Sequence, residues 1–246
     1  AERAGLNAPQ RGAVRATFDK RLTLVQGPPG TGKTRTACAI ALATTLAAAD
    51  ARPRGVGRSL LAAPSHVAAD GLLEGCVKLG LTCVRLGRPA YVRPDLRQHC
   101  LDALVPAPPT DSPMDKQARD SHLKARWAAL AEADVVVATT TGAGELLTGP
   151  LAEAAPGAAP LPFALCLVDE ASQCVEAGAL VALIAAARPP RLVLVGDQCQ
   201  LGPVLLSRAA VAASRERGGD SLFARLAALG LDPQLLSDQY RMPEAL

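Results

Sequence analysis

One stretch constrains the fold more than any other: RLTLVQGPPGTGKTRTACAIALATTLAAA, residues 21–49. Arg21–Gln26 is an apolar run of strand length, and Thr36–Ala49 is apolar on every side, as a buried helix requires. Between them Gly27-Pro28-Pro29-Gly30-Thr31-Gly32-Lys33-Thr34 fits G-x-x-x-x-G-K-[ST] at every position. The glycines let the backbone curl so that successive N–H groups point inward at phosphate oxygens. The start of the helix adds partial positive charge. Lys33 is placed to reach the outer phosphates of a nucleotide, and the Thr34 hydroxyl to ligate Mg²⁺.

The same strand–helix alternation continues along the chain. Ser59–Pro64, Thr82–Leu86, Ala133–Thr140, Phe163–Glu170 and Arg191–Asp197 are Val/Leu-rich runs without period-2 alternation, so each reads as a strand covered on both faces. Ser65 is a predicted cap for a helix whose Ala69, Leu72, Leu73 and Cys76 share one face, with Gly80 closing it. The expected class is α/β, a parallel sheet with helices on both faces, and such sheets bind ligands at the carboxyl ends of their strands. Residues 88–132 are too long for a simple connection and read as an insertion, with Leu123, Trp127 and Leu130 on one face of a helix. Gly149–Pro162 reads as a loop.

Composition narrows the partners. Apolar residues make up 49% of the 246, as in a folded chain, but aromatics only 2%, so the core is packed with Ala, Leu and Val. A net charge of +3 permits nucleic-acid contact without arguing for it. The seven cysteines form no C-x-x-C pair, which speaks against zinc and for reduced thiols in the core. No run of apolar residues is long enough to span a membrane. The sequence starts at Ala1 and is read as a piece of a longer chain.

Two further motifs lie at strand ends. Leu167-Val168-Asp169-Glu170 places Asp169 to hold Mg²⁺ and Glu170 to orient or deprotonate an attacking water. In Gly196-Asp197-Gln198-Cys199-Gln200-Leu201-Gly202-Pro203, Gln200 is a candidate contact to the γ-phosphate or the water. By itself this octet reads rather as a glycine-rich surface turn.

In order along the chain, GPPGTGKT, APSHVAAD, TTTGAG, VDEASQ, LVGDQCQLGPV, SLFARLAALGL and QYRM resemble the motifs of superfamily 1B helicases, in detail the RNA helicases of nonsense-mediated decay. The resemblance implies a P-loop NTPase of RecA-like fold with a short inserted subdomain. Residues 1–246 would be the first of two RecA-like domains, 88–132 an accessory insertion, and the second domain absent from this sequence. It implies ATP and Mg²⁺ as cofactors, with Gln10 reading the adenine edge, Tyr240 stacking on the adenine and Arg241 pointing at the γ-phosphate. It places nucleic-acid contacts on Pro64, Ser65 and His66, on Thr139, Thr140, Thr141 and Gly142, and on Pro203 and Val204. The expected partners are single-stranded RNA, with DNA as the alternative, a second RecA-like domain and decay factors, without a membrane. The expected compartment is the cytoplasm, with the nucleus as the alternative. Departures include His66 where the family usually has Asn, Gln198 in place of a frequent His, and Pro243 directly after Met242. A nucleotide-dependent binding module without productive hydrolysis is the competing expectation.

Overall fold

Seven parallel strands form one sheet in the order β3-β4-β2-β5-β6-β1-β7. They are β1 (Leu22–Gln26), β2 (Ser59–Ala63), β3 (Cys83–Arg85), β4 (Val135–Thr139), β5 (Leu165–Val168), β6 (Arg191–Gly196) and β7 (Gln234–Leu235). The computed structural model describes residues 5–48, 57–107, 116–153, 160–205, 207, 209, 211–212 and 221–240. Six strands fall where the apolar runs predict them. The seventh, β7, has only two residues and no apolar run to announce it; pairing with β1 makes it a strand.

Successive strand residues point to opposite faces. Leu60 and Ala62 of β2 therefore enter one core and Leu61 and Ala63 the other. One face is covered by α1 (Ala8–Asp19), α2 (Lys33–Ala48) and α3 (His66–Lys78). Residues Thr36 to Leu42 of α2 are buried without a break, so its all-round apolar composition matches its place. The other face is covered by α5 (Lys116–Glu132) through Trp127 and Leu130, by α7 (Glu176–Ala185), and by a last helix, Leu222–Ala228, through Phe223. Six cysteines are buried free thiols that pack as small apolar residues, and Cys199 is exposed.

The described parts of the predicted insertion wrap the edge strand β3. Two 3₁₀ turns, Pro89–Tyr91 and Pro94–His99, lead into α4 (Leu101–Leu104). Val92, Leu96 and Cys100 enter the core beneath α2 and α3, while Leu101 enters the opposite one. Of the predicted loop at Gly149–Pro162, Pro150–Glu153 form the short α6, and 154–159 lie outside the described residues. No helix among the described residues is long and apolar enough to cross a membrane.

Candidate active site

The glycine loop sits between the end of β1 and the start of α2, as predicted. Gly30 and Gly32 adopt φ of +82° and +80°, which only glycine accepts without strain. Space enforces the same choice, since a Cβ on Gly32 would lie 2.6 Å from Gln10 Nε2 and one on Gly27 2.3 Å from Thr31 Oγ1. The Thr31 hydroxyl donates to the Pro28 carbonyl at 2.8 Å and closes the turn. Lys33 is buried, and its ammonium donates to the Gly27 carbonyl at 2.9 Å. That bond uses one of three donors.

Opposite the loop, Thr34 Oγ1 donates to Asp169 Oδ2 at 2.9 Å, which brings the two predicted Mg²⁺ ligands together across 135 residues. Asp169 is 1% exposed. Burial, then the neighbouring Glu170 charge, raise its carboxyl to about 6; Thr34, the Glu170 N–H and the Lys33 charge pull the other way. Lys33 and Asp169 thus share one site. Glu170 follows in the left-handed region, φ 50° and ψ 37°, and its Oε2 accepts from Gln173 Nε2 at 3.2 Å. A non-glycine residue held there costs on the order of 1–3 kcal/mol, and such strain clusters at functional positions.

A second buried carboxylate, Asp197, organises the loop after β6. Its Oδ2 accepts from Gln200 Nε2 at 2.9 Å and its Oδ1 from the Cys199 N–H at 3.1 Å, while its own N–H donates to Ser172 Oγ at 3.0 Å. Gln26, the last residue of β1, reaches the same carboxylate at 3.5 Å. The Gln200 amide nitrogen is thereby turned onto Asp197. Sequence reasoning passed over Asp197, Gln26 and Ser172; a polar residue closing an apolar strand was the available signal.

The remaining predicted nucleotide contacts divide. Tyr240 lies beside the cradle, its N–H donating to the Gly30 carbonyl at 2.9 Å and its hydroxyl accepting from Asn7 Nδ2 at 2.7 Å, and its ring is exposed. Asn7 also caps α1 and was missed. Gln10, predicted to read the adenine edge, is turned inward beside the cradle. Only 1% exposed, it completes the α1 capping box through its Oε1 and donates from Nε2 to the Thr31 carbonyl at 3.0 Å. An amide engaged this way braces the cradle, because a buried polar group without partners is costly. Arg241 lies outside the described residues.

The predicted nucleic-acid residues lie at or after the ends of β2, β4 and β6, all on the carboxyl side of the sheet, but two of them do not face solvent. The Thr139 hydroxyl is buried and accepts the Gly142 N–H at 3.0 Å. Thr140 is also buried, receives the Cys174 thiol at 3.7 Å and donates its N–H to the Ala63 carbonyl. Both threonines close the strand, because a strand end inside a covered sheet must satisfy its own polar groups. Thr141 is exposed and Gly142 half-buried. Ser65 caps α3 as predicted, accepting the Ala68 N–H at 3.2 Å. His66 and Val204 are exposed, and Pro64 and Pro203 half-buried.

A family model described as "AAA domain" matches residues 5–126 and 111–208. The chain is 34% identical over 98% of its length to the "Regulator of nonsense transcripts 1 homolog" of Arabidopsis thaliana, of which it covers 19%. It is 34% identical, again over 98% of its length, to the "ATP-dependent helicase upf1" of Schizosaccharomyces pombe, of which it covers 26%. The chain therefore spans about a fifth to a quarter of the relatives it matches. Among solved structures, a nuclease-deletion mutant of the Type ISP restriction-modification enzyme LlaGI superposes with a TM-score of 0.52 at 17% identity, over 86% of this chain and 20% of that one, a likeness of fold alone.

Proposed function

This chain belongs to the AAA domain family, with the RecA-like parallel sheet of a P-loop NTPase, and from that premise we propose that it is the ATP-binding and ATP-hydrolysing half of an RNA helicase. In this reading residues 1–246 are a first RecA-like domain with 88–132 inserted, working against a second such domain along single-stranded RNA. The names of the relatives, a regulator of nonsense transcripts and an ATP-dependent helicase, support an mRNA-decay setting and decay factors as partners, and we place that work in the cytoplasm.

One observation carries the reading: the Thr34–Asp169 contact beside Lys33, with Glu170 held in a strained conformation one residue on. Thr34 and Asp169 offer the hard oxygen donors that Mg²⁺ takes, one hydroxyl and one carboxylate, and the carboxylate sits where burial penalises its charge unless a cation is near. When bound, Mg²⁺ supplies charge neutralisation at the outer phosphates. The protein's own groups do the rest. The loop N–H groups and Lys33 hold phosphate oxygens, and Glu170 accepts the proton of the attacking water. Asp197 fixes the Gln200 amide, leaving its carbonyl oxygen to orient that water. Tyr240 offers an exposed ring beside the cradle for the adenine. Arg241, with the arginines of a second domain, is assigned the transition-state charge.

Phosphate release from the purified chain under Mg-ATP, with and without poly(U), tests this. Slow release that rises with poly(U) is expected. ATP binding without any release at all would instead favour a nucleotide-dependent binding module.

A further inference from the structure

Where β2 and β3 end, the His66 and Tyr91 rings stack with centroids 5.2 Å apart and planes inclined by 27°. In a chain with only two tyrosines and 2% aromatics, an exposed stacked pair is unusual. Tyr91 is 60% exposed, so His66 covers part of the ring and leaves the rest to solvent. The pair is held from beneath. Arg85, wholly buried, lies with Nη2 3.3 Å from His66 Nδ1; a guanidinium has no acceptor, so the imidazole nitrogen accepts. Arg85 is anchored in turn by Asp70 at 3.5 Å and by the Leu86 carbonyl. The second oxygen of Asp70 accepts the Arg93 N–H at 2.9 Å, which ties the Pro89–Tyr91 turn to α3. Arg88, just before that turn, is exposed; its carbonyl accepts the Tyr91 N–H at 3.1 Å, and its guanidinium makes no hydrogen bond or ion pair among the described residues.

We infer that Tyr91, backed by His66, is a base-stacking platform for a single nucleic-acid strand crossing the carboxyl ends of β2 and β3, with Arg88 contacting its phosphate. This deepens the proposed function and rests on it, and it gives the first half of the insertion a role. An aromatic face accepts any base, which suits a motor that must move without regard to sequence. A ring held by a neighbouring ring and a short turn loses little freedom on binding. Arg85 acts as a positioning residue through His66.

Fluorescence anisotropy with labelled decauridylate tests the platform, using the chain, Tyr91→Ala, Tyr91→Phe and Arg88→Ala. Tyr91→Ala should weaken binding about 5- to 150-fold, and Tyr91→Phe should restore it. Arg88→Ala should make the log–log salt slope shallower by about 0.7, whereas Tyr91→Ala should leave the slope alone. A decamer of abasic sugar-phosphate should be bound equally with and without the Tyr91 ring. If the chain binds decauridylate and Tyr91→Ala binds it equally well, the platform is wrong while the helicase reading stands. Loss of affinity in Tyr91→Ala that the abasic decamer shares would also overturn it, since the ring would then be supporting the fold. If the chain binds neither decauridylate nor decathymidylate, both readings fall.

Discussion

The carboxyl ends of β1 and β5 bury charged groups left with donors and acceptors to spare, whereas those of β2 to β4 bury polar groups bonded within the protein and leave the rest outside. Around the glycine loop, Lys33 and Asp169 are nearly sealed from water, and each is held by a hydrogen bond at 2.9 Å. Around β2 to β4 the buried polar groups, Thr139, Thr140 and the Arg85–Asp70 pair, spend their bonds on the protein, and the exposed groups include His66, Tyr91 and Thr141. Burial makes electrostatic interactions strong and geometry strict, which suits bond breaking at a phosphate. Exposure keeps contacts adjustable, which suits a strand that must be held and released. Two stretches along the carboxyl ends of one sheet can thus serve different tasks with much the same backbone.

The sharpest way to break this contrast is at Glu170. Glu170→Gln should lower phosphate release about 10²- to 10⁴-fold, the usual worth of a positioned base, while ATP affinity stays put. Release at the original rate would remove Glu170 from the water. Lys33→Ala comes next, with ATP affinity expected to fall by about 1.5–3 kcal/mol, the value of hydrogen bonds to a charged group; calorimetric titration checks it, and unchanged affinity would leave the cradle without its lysine. Thr139→Val sharpens the other stretch. It strands the Gly142 N–H and should cost about 1–3 kcal/mol of stability by denaturant unfolding, without altering decauridylate affinity in the folded protein. A selective loss of affinity would return Thr139 to the strand-binding surface. The smallest effect is expected from Glu170→Gly, which relieves the φ of 50° and should stabilise the fold by about 1 kcal/mol even as turnover is lost. A lower melting temperature for this variant would mean that Glu170 is not strained.

The two stretches were also legible to different degrees. The G-x-x-x-x-G-K-[ST] spacing led directly to the cradle, because glycine φ angles and helix starts are decided by neighbouring residues. The β4 end was ambiguous: a run of three threonines looks the same in sequence whether its hydroxyls turn to water or back onto Gly142 and Cys174. Gln10 was legible as a residue beside the cradle, but the turn of its amide inward to the Thr31 carbonyl, 21 residues away, was not. The Arg85–His66–Tyr91 stack was invisible, since it joins a strand end, a helix start and a turn of the insertion.

From its order of residues alone, this chain determined the local units: the glycine loop, the cap at Ser65, and the Val/Leu runs that can only be strands buried on both faces. Those depend on backbone angles and on apolar periodicity, which near neighbours decide. Tertiary structure alone decided which polar groups meet. It set Thr34 against Asp169, turned Gln200 onto Asp197, drew Asn7 to Tyr240, and made a strand of Gln234 and Leu235 by laying them along β1. A side chain's hydrogen-bond partner is the nearest unsatisfied group in space, and in a sheet whose strand order departs from chain order that group comes from far along the chain.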